Sequence, residues 1–260
     1  MILIKRGLKE MKRISLVYVF FTFCFGSVIT HAQDMAEPGL LATLACKLNE
    51  GRTVQEVVQW GRSNDDPAGA QQIHIRVPVS RFAGFQSLYD FQFAMYFQDY
   101  VGYANFLQFV AANNDGSLQE LVTCGGFLLS NSLQINMEAD PYTGQQTWMD
   151  TQYCMLNEGA TYQDAQRWLS NIADVARNYD SNIGMQMNVR THGNLNQGNE
   201  ANRFYSIQRV GATPQDMAHR LDLNREGNVQ STVMDSGMEN PNAECNNRNL
   251  WNTTAIYRRN

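Results

Sequence analysis

The feature that most constrains this chain is a segment that occurs twice. The fifteen residues from Cys46 to Trp60 (CKLNEGRTVQEVVQW) match those from Cys154 to Trp168 (CMLNEGATYQDAQRW) at eight positions, and Glu56 becomes Asp164 with the charge kept. The two copies are offset by 108 residues, a domain length and not the period of about 20–50 residues that marks a solenoid. The chain therefore divides into two units, residues 36–140 and 141–260. They are joined at Asp140-Pro141-Tyr142-Thr143-Gly144, a run rich in turn formers.

Patterning within each unit gives the same order of elements. In the first, Leu40–Leu48 reads as a strand and Asn49-Glu50-Gly51 as a turn. Thr53 with Glu56 forms a capping box, in which hydroxyl and carboxylate satisfy free amides at a helix start, and Val54, Val57 and Val58 form one face of that helix. Ile73, Ile75 and Val77 alternate with His74 and Arg76, and Phe91, Phe93, Met95 and Phe97 alternate with smaller or polar residues, so both runs read as strands. Tyr103, Phe106, Leu107 and Val110 recur at helical spacing, and Phe127–Met137 reads as a closing strand. The second unit repeats this with Thr161 and Asp164 as the cap, strands at Met185–Arg190 and Phe204–Val210, a helix opened by Thr213-Pro214, and a closing strand at Leu250–Tyr257. The order β-α-β-β-α-β is the ferredoxin-like plan. The expected fold is α+β: two tandem ferredoxin-like modules packed as a pseudo-dimeric α/β barrel.

Ile14–Ile29 is almost wholly apolar, follows Lys12 and Arg13, and leads to Thr30-His31-Ala32, where small residues sit three and one positions before a cut after Ala32. This is the tripartite pattern of a secretory signal peptide over residues 1–32. A retained N-terminal anchor is the alternative. The expected location is secreted or periplasmic, in a bacterium, with no stable membrane insertion once the signal is cut. Residues 1–32 hold five basic residues and one acid, so their loss takes the net charge from −5 to −9. An acidic exported chain is a poor match for nucleic acid, whose phosphates require basic patches.

Four cysteines remain after Ala32, namely Cys46, Cys124, Cys154 and Cys245. An even number in an exported chain favours disulfides, and four cysteines allow three pairings. In the ferredoxin-like plan the end of the first strand lies beside the start of the last. That plan predicts Cys46–Cys124 and Cys154–Cys245, one bridge in each module.

These landmarks resemble a loosely defined set of exported, uncharacterised proteins of marine bacteria, which share a Cys–turn–Gly-x-Thr–helix–Trp opening and a late Cys, usually in tandem. The matching residues are Cys46, Gly51, Thr53, Trp60 and Cys124, then Cys154, Gly159, Thr161, Trp168 and Cys245. In plan the module is also similar to the dimeric α/β-barrel superfamily, in which two ferredoxin-like units put their sheets face to face. That resemblance implies a class holding small-molecule monooxygenases, haem-degrading enzymes and proteins without known activity. The second unit departs from the pattern in its polar stretch Asn194–Asn202.

Chemistry is harder to place. The chain has no phosphate loop, dinucleotide glycine fingerprint or Gly-x-Ser-x-Gly elbow, and His74, His192 and His219 have no metal-ligand spacing among them. No catalytic residue can therefore be named, and no metal or cofactor is expected. Glu50 and Glu158 recur in both copies, but turn and cap chemistry already account for an acid there. Trp60 and Trp168 close the first helix of each copy, where core packing is their ordinary use. The candidate ligand-binding residues are His74, Arg76, Arg190 and His192, on second strands that could face a cleft, set against a solvated polar face of an alternating strand. The favoured function is a non-catalytic binding or interaction module with an inter-sheet cavity, its partner a small molecule or a protein. Two alternatives stand beside it: an α/β-barrel-type enzyme acting on a small apolar or aromatic molecule, and a structural or surface-assembly protein whose sheet edges pair between chains.

Overall fold

The computed structural model describes residues 39–63, 67–80, 89–136, 146–181, 183–192, 203–246 and 248–259. The expected signal segment 1–32, the connection at residues 140–144 and the stretch 194–202 lie outside the described residues. The strands are β1 (Gly39–Leu48), β2 (Ala70–Ser80), β3 (Phe91–Phe97), β4 (Val122–Asn136), β5 (Thr147–Leu156), β6 (Ile183–His192), β7 (Phe204–Gly211), β8 (Asn242–Cys245) and β9 (Asn249–Arg258). The helices are α1 (Val54–Ser63), α2 (Tyr100–Asn113), α3 (Ser117–Leu121), α4 (Tyr162–Arg177), α5 (Pro214–Glu226) and α6 (Asn228–Asp235).

The strands form one antiparallel sheet in the order β7-β6-β4-β1-β3-β2-β9-β5, and β5 also pairs with β7, so eight strands close into a barrel. The first half contributes β4-β1-β3-β2 and the second β9-β5-β7-β6, each in the spatial order last, first, third, second. The halves join edge to edge through equivalent strands, β4 on β6 and β2 on β9. The expected α/β barrel is found, closed as a single curled sheet. The reason is the edge: a four-stranded half leaves unpaired N–H and C=O groups along two strands, and mutual pairing satisfies both rows. Among the described strands only β8 has a single neighbour, β5. The surface-assembly alternative, which needs long free edges, loses its basis for that reason.

The helices cover the outer face of the barrel. Alternation in β3 sends Phe91, Phe93, Met95 and Phe97 outward against Val57 and Val58 of α1 and Phe106 of α2. In the second half Trp168 and Leu169 of α4 pack on Met185 and Met187 of β6 and Ile207 of β7. The repeated segment explains the local starts. The Thr53 amide donates to Glu56 at 2.7 Å and the Glu56 amide to the Thr53 hydroxyl at 3.3 Å; the reciprocal pair recurs at Thr161 and Asp164, and again at Thr213 and Asp216. Gly51 and Gly159 hold φ of 75° and 81°, the left-handed turn that requires glycine after each Asn-Glu pair. Glu50 and Glu158 accordingly sit on exposed turns, remote from the lumen.

Helix α2 departs from its pattern, since of its apolar residues only Phe106 is buried, while Leu107 and Val110 are exposed. Elements without a strong period (α3, α6 and β8) lie in stretches read as connections. Disulfides join Cys46 of β1 to Cys124 of β4 and Cys154 of β5 to Cys245 of β8, the pairings expected from the duplicated plan. Cys245 lies on its own short strand ahead of β9 and not on the closing strand itself. The first bridge spans 78 residues, for which chain entropy gives about 4 kcal/mol. Replacing Cys46 and Cys124 together by alanine is expected to lower unfolding stability by about that amount in chemical denaturation. A loss under about 1 kcal/mol would show that the strand pairing holds the ends without the bridge.

Candidate functional site

Closure of the sheet gives every strand a second buried face. In β2 the outward residues are Ile73, Ile75 and Val77, so His74, Arg76 and Pro78 point to the lumen. The same alternation turns Thr43 and Ala45 of β1, Gln92 of β3, Leu128 and Ser130 of β4, Thr151 and Tyr153 of β5, Asn188 and Arg190 of β6, Gln208 of β7 and Trp251 of β9 toward a common cavity of about 520 Å³. All eight barrel strands contribute to it. Its size is that of a site for a small organic molecule.

The wall is aromatic and apolar over much of its area, with Trp251, Tyr89, Tyr153, Phe204, Leu41 and Leu128. Tyr89 stacks on Trp251 with ring centroids 6.2 Å apart and planes 7° from parallel, and the Trp251 indole N–H donates to the Thr151 hydroxyl at 2.8 Å. These contacts fix the largest rings in one orientation.

Polar groups converge among those walls. The Arg76 guanidinium donates from Nη2 to Gln208 Oε1 at 3.1 Å and to the Tyr96 hydroxyl, which itself donates to Gln208 Oε1 at 3.2 Å. Arg76 also lies over the Tyr96 ring, 5.8 Å from its centroid. It is 2% exposed, and its Nε has no acceptor. Asn188 is 2% exposed, and neither its amide nitrogen nor its oxygen has a partner. Buried polar groups are nearly always bonded, so two such side chains on one cavity mark a place where a ligand or ordered water supplies the missing contacts.

The four residues singled out in the sequence part company here. Arg76 and Arg190 both line the cavity, the first buried and the second half-buried. His74 is buried beside them, its Nε2 3.2 Å from Gln72 Oε1 and its ring edge-on to Tyr96 at 5.9 Å, but it does not line the cavity. Burial first, then the charges of Arg76 and Arg258, push its pKa down to about 3, so it is neutral at ordinary pH. His192 is exposed, with Nδ1 3.3 Å from the Tyr100 hydroxyl, and stands outside the lumen. The expectation that the polar face of β2 is solvated gives way to a buried one, because strand β9 closes the sheet over it.

Tyr96, Asn188, Gln208 and Trp251 were not anticipated. Their signal was present as polar or bulky residues between the outward positions of β3, β6, β7 and β9, but it is legible only once those faces are known to be enclosed.

On the opposite face of the sheet a second polar cluster serves the structure. Asp150, wholly buried, accepts from Arg209 Nε at 2.7 Å and from Arg248 Nη1 at 3.3 Å. Arg220 of α5 lies nearby at 1% exposure, its pKa lowered to about 9 by burial and then by the charges of Arg209 and Arg248, against the pull of Asp150.

A closed antiparallel barrel with helices on its outside defines an α/β-barrel protein, and the chain is similar to solved structures of that kind. One is an anthrone oxidase-like protein, with a TM-score of 0.46, 9% identity, and 85% of this chain and 94% of that one covered. A second is a protein of Lactobacillus acidophilus provisionally assigned as a monooxygenase, with a TM-score of 0.49, 8% identity, and 85% and 95% covered. A third is chlorite dismutase from Candidatus Nitrospira defluvii, with a TM-score of 0.45, 11% identity, and 83% and 90% covered. No protein-family model and no curated protein matches the chain. The fold itself is defined by the strand pairing. The expectation of a non-catalytic binding or interaction module is corrected at this point. That expectation rested on export, disulfides, duplication and missing catalytic motifs, whereas the solved structures to which the chain is similar carry the names of enzymes.

His74 gives the site a pH signature. The unfolded state takes up a proton near pH 6.5 while the folded state resists until about pH 3. The unfolded chain therefore holds more protons across that window, and stability falls as pH drops through it by up to about 1.4 kcal/mol per pH unit. Equilibrium unfolding between pH 6 and 4 is expected to show this slope reduced by a similar amount in His74→Gln. An unchanged slope would place the acid sensitivity elsewhere.

Proposed function

We propose that the chain is an extracytoplasmic enzyme of the α/β-barrel type, built from two tandem ferredoxin-like modules, that acts on a small aromatic or apolar molecule held in the barrel lumen. The observation that carries this reading is the Asn188 amide. It is buried, unpartnered at both polar atoms, and set into a cavity of about 520 Å³ among aromatic walls. A fold keeps such a group at a cost of about 1–3 kcal/mol unless something binds it.

The two-module reading is supported by the shared strand order of the halves and by the paired capping boxes of α1 and α4. The location is supported by the two disulfides, which an oxidising compartment permits, and by the apolar run before Ala32. Among the described residues no helix is long and apolar enough to cross a membrane.

Within the lumen each group has a separate task. The stacked Tyr89 and Trp251 offer a flat face to a ring. The Asn188 amide, free to donate and to accept, orients a polar substituent. Arg76, locked by Tyr96 and Gln208, supplies a fixed positive charge that stabilises negative charge on a substrate oxygen, in a setting where water is excluded.

A panel of small aromatic acids, phenols, quinones and apolar controls, screened by thermal unfolding with mass spectrometry of the incubated mixtures, tests the proposal. At a hundredfold excess over Kd a true ligand adds about 2.7 kcal/mol. That corresponds to a rise of about 5–10 °C in Tm for a chain of this size. At least one stabilising compound is expected to be converted, with conversion reduced about a hundredfold or more in Asn188→Leu or Arg76→Met. A panel with no stabilising member, or binding without conversion across all of it, would contradict the enzyme reading.

A further inference from the structure

We infer that the molecule held in the lumen carries a carboxylate and that the guanidinium of Arg76 receives it. This rests on the reading of the lumen as a ligand site and adds the chemical class of what enters.

Charge accounting within the cavity leads there. Arg76 is 2% exposed, and both of its hydrogen-bond acceptors, Tyr96 and Gln208, are neutral. Its Nε is buried without an acceptor. No carboxylate among the described residues reaches it. Of the buried arginines on the other face of the same sheet, Arg209 has a counter-charge from the fold, Asp150 at 2.7 Å. Arg76 has no such carboxylate among the described residues.

The remaining charged groups do not fill the gap. His74, two residues away on the same face, is buried and adds no negative charge. Arg190 lines the same cavity and adds a second cation to its wall. Glu244 is the one acid among the described lining residues, and it is exposed at the rim on β8. Among the described lining residues, then, the buried cation Arg76 has no acid beside it, the one acid lying at the rim. A buried unpaired charge is among the most costly features a fold can hold, and a ligand that brings the opposite charge removes that penalty on binding.

The anion's chemistry follows from the donors left open. With Nη2 committed to Tyr96 and Gln208, Arg76 meets a carboxylate by its charge and its remaining N–H groups and not through a two-point fork, and the aryl or alkyl body suits the Trp251 and Phe204 walls. A phosphate dianion would call for more donors than Arg76 leaves open after its bonds to Tyr96 and Gln208.

The test is a set of matched titrations of the whole protein by calorimetry at pH 7, using benzoate and phenylacetate against benzamide and phenylacetamide. The acids are expected to bind at least tenfold more tightly than the amides. Arg76→Met should bring the acids to the level of the amides, while Arg76→Lys keeps part of the preference. A second measurement needs no variant: in the native protein the preference should fade as the carboxylates protonate, below about pH 4. Equal binding of acids and amides would overturn the inference and leave the lumen as a ligand site. A preference that survives Arg76→Met would also overturn it. Failure of both series, with neutral aromatics of the wider panel failing too, would overturn the ligand-site reading itself.

Discussion

Everything in this molecule depends on the pairing of β2 with β9 and of β4 with β6. Those two ladders carry the only strand-to-strand bonds described between the halves, and they are equivalent under the duplication. A four-stranded half on its own would expose two edges and one whole face of mixed polar and apolar side chains. Mutual pairing satisfies the edges and encloses the faces in the same act, so barrel closure and creation of the lumen are one event. Neither half encloses a cavity by itself, and both halves line the one that forms.

Enclosure changes the meaning of residues that would be unremarkable on an open sheet. On a solvated face Arg76 and Asn188 would be hydrated and of little energetic consequence. Inside the barrel they are 2% exposed and incompletely bonded, and His74 is held neutral by burial and by its cationic neighbours. Among the described residues Asp150 supplies a carboxylate to Arg209 and Arg248 on the outer face, and none reaches Arg76 in the lumen. On that asymmetry rests the proposal that the lumen takes a ligand.

What the sequence disclosed was whatever is local or repeated. The repeated cysteine-to-tryptophan segment marked the duplication, and Thr53 and Thr161 marked the helix starts, because a capping box is complete within four residues. The alternation of Phe91, Phe93, Met95 and Phe97 marked a strand with one deeply buried face, and the helix layer is what buries it. The positions of Arg76, Asn188, Gln208 and Trp251 in one cavity could not be read, since they come from four strands spread over 176 residues and meet only through closure. Arg76 and Arg190 were visible as candidates, yet the same alternation fitted a solvated face equally well. His192 shares the strand of Arg190 but stands at its exposed end, which no pattern signalled.

Hydrogen exchange of the backbone amides, resolved by residue, tests the closure most directly. Strands β2, β4, β6 and β9 would be outer edges if each half stood alone, and half their amides would then exchange as fast as those of an unprotected strand. The account predicts protection of Ile75 and Val77 in β2 and of Leu133 in β4 comparable to that of β1 and β3 at the centre of the first half, with fast exchange confined to β8. Rapid exchange along β2 and β9 in the native protein would mean that the barrel is open, and the lumen with its unpaired arginine would not exist as described.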